Sequence, residues 1–513
     1  MDALVRDGIQ LTSFYAFKYC SPSRSAFHSG RNPIHVNVVN GQTTLHNPAD
    51  PVSGFSGIPK NMTTIAEKLV AAGYRAHAVG KWDVGMATFR HTPAGRGFES
   101  WLGYFGHCND YWTEIDKCGM QTCPSGAATD PENPGTTDMV DMWQQSNFGA
   151  VSGPASKLNN SQTCSQKNQM ASCHFEDDVF HEQVIRVITQ HAADSSSGGG
   201  GGGGSSPLFL YWAAHACHGP REVPQATYDM FEFMPDKQAR MYSALAHYLD
   251  GMVGNVVSEL RQQQMWDDTL MVFSSDNGGD SAANNWPLRG AKFSNWEGGI
   301  HVPAFVSGGW LPPARRGIKV GGLACLWDLY ATFGHLAGLS AAEAVADPVA
   351  AAASLPAIDS IDQWDWWSGQ TATSPRAELP IGYAVGSSHG AGNAFLTTGV
   401  EALIRADGMK LILTPGGPGY QLDEAIWTGP SYPNTSSNMS AWTTTMDCET
   451  GCLYNLTEDP TEHVDLSASL PAIVASMKER IEALNRTTFS PRRGEASPLG
   501  CEVALGVYGG FCA

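Results

Sequence analysis

Short apolar runs alternating with amphipathic stretches constrain this chain most, because that alternation admits few architectures besides a layered α/β fold. Met62-Thr63-Thr64-Ile65-Ala66-Glu67-Lys68-Leu69 opens a predicted helix with Ile65, Leu69 and Ala72 on one face. Gly73 ends it, and Tyr74 to Val79 follows as a strand. A second helix is expected near 178–191, then a loop over 195–206 that holds seven consecutive glycines and cannot pack a core. Leu208 to Trp212 reads as a buried strand. Asp236 to Gln263 reads as a long helix with Met241, Leu245, Tyr248, Met252, Val256 and Leu260 along one side. Thr269 to Ser274 is the next strand, delivering Asp276 and Asn277 at its carboxyl end, where open α/β sheets gather ligands. Later, Leu403 to Leu413 reads as a strand pair. Leu470, Val474, Met477, Ile481 and Leu484 mark a terminal helix. The reading is two domains, 1–390 and a smaller one at 391–513.

The formal net charge of −19 argues against a general nucleic-acid binder and asks for a locally basic cleft if the ligand is anionic. No apolar run reaches the ~18 residues of a membrane span, and residues 1–6 are no signal peptide. Cys118, Cys123, Cys164, Cys173, Cys448, Cys452, Cys501 and Cys512 lie in polar, turn-rich stretches, as surface disulfides do, whereas Cys217 and Cys325 sit in apolar surroundings and are expected to be free. Glycosylation sequons occur at Asn61, Asn159, Asn434, Asn438, Asn455 and Asn485. Together these favour a secreted, extracellular or lysosome-like destination.

Cys20-Ser21-Pro22-Ser23-Arg24 is a poor metal site and lacks the second cysteine of a redox pair. It resembles the C-x-P-S-R motif of type I sulfatases, in which the cysteine becomes a formylglycine, and Phe27-His28-Ser29-Gly30-Arg31 resembles the continuation of that motif. Gly80-Lys81-Trp82-Asp83-Val84-Gly85 is similar to the family's G-K-W-H-x-G, and Ser274 to Gly279 to its S-x-D-N-G-G. The stretch from Trp286 to Gly299 resembles the one bearing its second lysine, and 207–224 the one bearing its histidine. The nearest likeness is to arylsulfatase B-type enzymes, the N-acetylgalactosamine-4-sulfatase group.

The resemblance implies an alkaline-phosphatase-like, mostly parallel sheet flanked by helices, with a smaller C-terminal antiparallel sheet and helix. It implies hydrolysis of a carbohydrate or aryl sulfate ester, with a non-catalytic binder of sulfated glycans as the rival. Cys20 would be the formylglycine precursor, matured by the formylglycine-generating enzyme, and Arg24 would hold its diol. Lys81, His218 and Lys292 would bind sulfate, with His218 as general acid. Calcium would be held by Asp276, Asn277 and position 20. The strand that carries two further metal aspartates in the family is not seen in this sequence, so the calcium set is expected to be incomplete. Asp83 stands where the family has a histidine. A carboxylate there can accept a hydrogen bond or act as base, but adds like-charge repulsion near sulfate.

Overall fold

The computed structural model describes residues 1–38, 45–115, 140–146, 164–170, 172–197, 206–280, 283–382, 399–413, 424–426, 443–445, 448, 450–493 and 495–496. Cys118, Cys123, Cys501, Cys512, Asn159, Asn434, Asn438 and the whole glycine run lie outside the described residues. The chain forms two compact units. One comprises Met1, Asn40–Thr269 and Arg492–Ala513, and the other Asp2–Val39 and Leu270–Pro491.

The first unit is built on a four-stranded sheet in the order Trp143–Ser146, Ser100–Gly103, Arg75–Gly80, Leu208–Ala213. Arg75–Gly80 runs parallel to both neighbours, with Val79 opposite Leu102 on one side and Trp212 on the other; Trp143–Ser146 closes one edge antiparallel. Leu208–Ala213 is mostly half-buried, less enclosed than its apolar sequence predicts. The helix after Met62 begins at Ile65, because the Thr64 backbone N–H donates to Glu67 Oε2 at 2.9 Å and sets the first turn. The next helix, Glu176–Ser197, is longer than expected at both ends. Lys237–Gln262 starts where Asp236 accepts from the Gln238 and Ala239 N–H groups at 2.8 and 2.9 Å.

The second unit holds a mixed sheet ordered Ile318–Val320, Ile9–Leu11, Ala304–Ser307, Met271–Ser274. Ile9–Leu11 is parallel to Ile318–Val320 and antiparallel to Ala304–Ser307, which is in turn antiparallel to Met271–Ser274. A separate antiparallel sheet runs Glu378–Gly382, Val400–Arg405, Met409–Ile412, Cys452–Asn455. Strand alternation gives it two apolar faces. Leu403, Leu411 and Leu453 pack with Val474, Met477 and Ile481 of the helix Pro471–Asn485. Ala402, Ile404, Ile412 and Tyr454 pack with Phe17, Ala26 and Trp296. The small sheet therefore shares a core with the segment around Cys20.

Cys164 pairs with Cys173 and Cys448 with Cys452, while Cys20, Cys217 and Cys325 are free among the described residues. No helix among the described residues is long and apolar enough to cross a membrane.

Leu411 is fully buried between sheet and helix, so Leu411→Ala is expected to cost about 2–5 kcal/mol. Val70→Ala, at an exposed helix position, should stay within about 0.5 kcal/mol of wild type. Urea unfolding midpoints of the two variants check the contrast.

Candidate active-site residues

Cys20 is the first residue of the helix Cys20–Ser29, preceded by Tyr19 in extended conformation at φ −161°. Ser23 fixes that entry: its hydroxyl accepts from the Phe17 N–H at 3.0 Å and donates to the Phe17 carbonyl at 3.1 Å. Gly30 ends the helix in the left-handed region at φ 67°, with its N–H on the Ala26 carbonyl. A Cβ there would meet the Tyr330 ring at 2.6 Å, so only glycine suits the position. Arg31 is buried and anchors the exit, donating to the carbonyls of Ser29 at 2.9 Å and Pro356 at 2.7 Å and to Asp347 at 2.8 Å. The second half of the cysteine motif is thus structural: it fixes the far end of the helix whose first residue is the thiol.

Around the thiol, the Cys20 S–H donates to Asn277 Oδ1 at 3.3 Å and Lys292 Nζ donates to Cys20 Sγ at 3.3 Å. Arg24 Nε donates to Asp276 Oδ2 at 2.8 Å. Five of the predicted residues, Cys20, Arg24, Asp276, Asn277 and Lys292, are therefore gathered in one place within this unit.

Glycines make the approach possible. A Cβ on Gly278 would lie 1.8 Å from the Gly298 carbonyl oxygen, and one on Gly298 would lie 2.4 Å from that of Gly290. Lys292 is held at its backbone, its N–H donating to the Gly279 carbonyl at 2.8 Å. The next residue, Phe293, sits in the left-handed region at φ 77° and donates to the Lys18 carbonyl at 2.7 Å. A bulky side chain at that φ is a genuine outlier, sustained by the surrounding bonds and adjoining a predicted site residue. Burial lowers the Lys292 pKa, but Cys20 and Asp276 outweigh it, and the net shift is upward. The side chain stays an ammonium across the physiological range.

These residues do not by themselves fit calcium. The ion takes ~6–8 oxygen ligands, whereas Asp276 and Asn277 bring side-chain oxygens already engaged by Arg24 and Cys20. Among the described residues no group of three or more His, Cys, Asp or Glu side chains gathers as a metal site.

The other predicted residues lie in the first unit. Gly80, at φ 91°, brings its Cα so close to Ala213 that a Cβ would lie 1.9 Å from the Ala213 carbonyl. The Lys81 N–H then bonds that carbonyl at 3.0 Å. Trp82 Nε1 donates to the Gly85 and His91 carbonyls at 3.0 and 2.8 Å, which holds the turn. Asp83 is buried in the left-handed region at φ 57°; its Oδ2 lies 3.3 Å from Lys81 Nζ and its Oδ1 2.9 Å from His107 Nδ1. The like-charge repulsion expected of this carboxylate is thus offset by two basic side chains.

His218 lies beyond the strand Leu208–Ala213. Its N–H donates to the His215 carbonyl at 2.9 Å, its carbonyl accepts from the Tyr111 hydroxyl at 3.1 Å, and its Nδ1 lies 2.7 Å from the Gly219 carbonyl. Donation of Nδ1–H to that carbonyl fixes the orientation of the ring.

His215 is also past the strand, and it is buried. Its Nδ1 meets Glu176 Oε2 at 2.5 Å and its ring stacks on Tyr111 at 3.8 Å between centroids. Burial, helped by Lys81 and opposed by Asp177, pulls its pKa down to about 3. Burial also raises that of Glu176 well above the carboxylate range, so the pair is neutral. His215 is a support for the His218 loop.

Sequence reasoning missed His107, Glu176 and Tyr111. The only signal was chemical type: no motif marks His107, and Glu176 reads as an ordinary acidic helix start.

The chain matches the family model described as Sulfatase over residues 1–339, and it belongs to that family. It is 28% identical to arylsulfatase J of Mus musculus over 97% of this chain and 73% of that protein. It is 26% identical to N-acetylgalactosamine-6-sulfatase of Mus musculus over 66% of this chain and 57% of that protein, so it spans little more than half of that relative. Among solved structures, Ps i-CgsB in complex with k-i-k-neocarrahexaose superposes with a TM-score of 0.66 at 21% identity, covering 98% of this chain and 90% of that one. The fold is the mixed α/β arrangement of sulfatases with its separate small antiparallel sheet, and the chain is a sulfatase.

A histidine whose pKa is held below its ordinary value near 6.5 costs stability when it must be protonated. The His215 contribution is therefore fully present above pH 6.5 and is lost as pH falls toward 3, at about 1.4 kcal/mol per pH unit for this group alone. Urea unfolding of His215→Gln should show a shallower loss than wild type over that window.

Proposed function

We propose that this chain hydrolyses a sulfate ester of a carbohydrate or aryl group through a formylglycine made from Cys20. The observation that carries the reading is the free Cys20 thiol at a helix start, with Lys292 Nζ and Asn277 Oδ1 each 3.3 Å from sulfur. A hydrated aldehyde at this position supplies one hydroxyl to attack sulfur and a second whose deprotonation re-forms the carbonyl and releases sulfate.

The chain's own residues then have definable tasks. Lys292, held as an ammonium in a buried setting, places positive charge where the sulfate oxygens collect it. The N–H groups of the first helical turn add partial positive charge on the same side. Arg24, fixed by Asp276, holds a guanidinium one helical turn from position 20 and is suited to hydrogen-bond the diol. Lys81 and His218 enter through their motifs, Lys81 as a sulfate ligand and His218 Nε2 as the donor that protonates the departing alkoxide. Calcium is the cation the family resemblance suggests. Asp276 and Asn277 are the residues that would contribute to it, and no step here depends on it.

A sulfated carbohydrate as substrate is supported by the relative named N-acetylgalactosamine-6-sulfatase. Maturation by the formylglycine-generating enzyme and a secretory destination fit the disulfides Cys164–Cys173 and Cys448–Cys452 and the sequons. A non-catalytic glycan binder is not favoured, since nothing in its task calls for a buried thiol between a lysine and an amide oxygen.

An aryl sulfate should be turned over by the full chain produced with the formylglycine-generating enzyme, and an aryl phosphate far more slowly. Cys20→Ala should abolish turnover, and Lys292→Met should lower kcat/KM by roughly 10²–10³-fold, the size of losing one oxyanion-stabilising group. Equal turnover by wild type and Cys20→Ala would sink the proposal.

A further inference from the structure

Asp83 lies at the centre of a charged trio that no motif describes. Lys81 and Asp83 leave the end of the strand Arg75–Gly80, and His107 follows the neighbouring strand Ser100–Gly103. Each carboxylate oxygen of Asp83 has its own basic partner, Lys81 at 3.3 Å and His107 at 2.9 Å. Lys81 and Asp83 are buried, whereas the His107 side chain is 27% exposed. The imidazole is the member of the trio that a ligand from solvent can reach.

The backbone on both sides of this contact is fixed. The Trp82 N–H donates to the Tyr104 carbonyl at 2.9 Å, which ties the Lys81–Asp83 turn to the segment leading to His107. The Phe105 and Gly106 N–H groups donate to the Asp141 carboxylate at 3.0 and 2.7 Å, and Trp143 Nε1 joins them at 2.8 Å. Asp141 is therefore occupied by N–H groups of its own neighbourhood. His215, whose protonation Lys81 also opposes, is tied to Glu176 and stays neutral.

Imidazole chemistry supplies the rest. With Nδ1–H donated to a carboxylate, Nε2 can donate only when the ring is an imidazolium. An anion arriving at Nε2 would complete a line of carboxylate, imidazolium and oxyanion, with a lysine on the far oxygen of the carboxylate. With the ring protonated, two positive groups and one negative group would meet there, a balance that favours a tetrahedral oxyanion.

We propose that Lys81, Asp83 and His107 form a sulfate-binding trio, in which His107 Nε2 is a ligand of the sulfate group and Asp83 is a positioning residue. This deepens the sulfatase reading and rests on it for the identity of the anion.

The test is inorganic sulfate binding to the full chain by titration calorimetry, with Cys20 peptide mass and melting midpoint recorded for each variant. Asp83→Asn removes a negative charge, so simple repulsion predicts tighter sulfate; the trio predicts weaker binding, on the order of tenfold, because the imidazole loses its anchor. His107→Gln should weaken sulfate by a similar factor. In the His107→Gln background, Asp83→Asn should leave binding unchanged or tighten it, an outcome that general loosening of the fold would not produce.

Sulfate affinity unchanged or improved in Asp83→Asn alone, wild-type affinity in His107→Gln, or no sulfate binding by wild type would each overturn the trio. Aryl sulfate turnover is read separately. A chain that shows this binding pattern without turnover contradicts hydrolysis and leaves the trio standing.

Discussion

The contact between the Lys292 ammonium and the Cys20 sulfur, 3.3 Å apart across 272 positions of sequence, sets what the rest of its unit must accomplish. A buried ammonium is costly unless charge and hydrogen bonds surround it. Cys20 and Asp276 provide that surrounding and raise the lysine's pKa against the pull of burial. The stretch from Asp276 to Gly299 is shaped accordingly. Gly278 and Gly298 let backbone meet backbone, Gly290 leaves room for the Ser294 and Trp296 side chains, and Phe293 accepts a left-handed φ so that its N–H reaches the carbonyl of Lys18. The helix Cys20–Ser29 is pinned at its far end by Gly30 and Arg31, which leaves its first residue facing the lysine.

The small antiparallel sheet reaches the same loop from behind. Lys410 on Met409–Ile412 lies 2.9 Å from Glu297 and 2.7 Å from Glu462, and Glu462 accepts the Glu297 N–H at 2.8 Å. Arg289 donates to the Glu462 carbonyl at 2.8 Å and lies over the Trp296 ring. Residues on either side of Lys292 are thus tied to a sheet whose members come from the C-terminal part of the chain. Removing one partner of such a buried network leaves an unpaired charge, which costs more than the pairing itself contributes.

Much of this was legible in sequence. The 3.6-residue pattern from Lys237 to Gln262 and the apolar run before Ala213 place those elements closely, and the glycines of the D-N-G-G and E-G-G runs announce close backbone approach. Position 83 was legible only as a departure, since a lone aspartate tells nothing of what faces it. Its partner His107 sits 24 positions later, in a stretch without periodicity or motif, and a contact made by two neighbouring parallel strands cannot be read from either alone. The same holds for His215. Three residues before His218, it reads as still on the strand, whereas the strand ends at Ala213 and the packing of Glu176 and Tyr111 shows it to be a buried, neutral support.

The proposed hydrolysis depends on oxidation of one side chain, and peptide mass spectrometry reads that directly. The protein, co-expressed with the formylglycine-generating enzyme and digested, should yield the peptide containing position 20 with the mass of an aldehyde or its hydrate. A peptide that retains an intact cysteine thiol, in a preparation that nonetheless cleaves aryl sulfate at full rate, would contradict the chemistry assigned to Cys20.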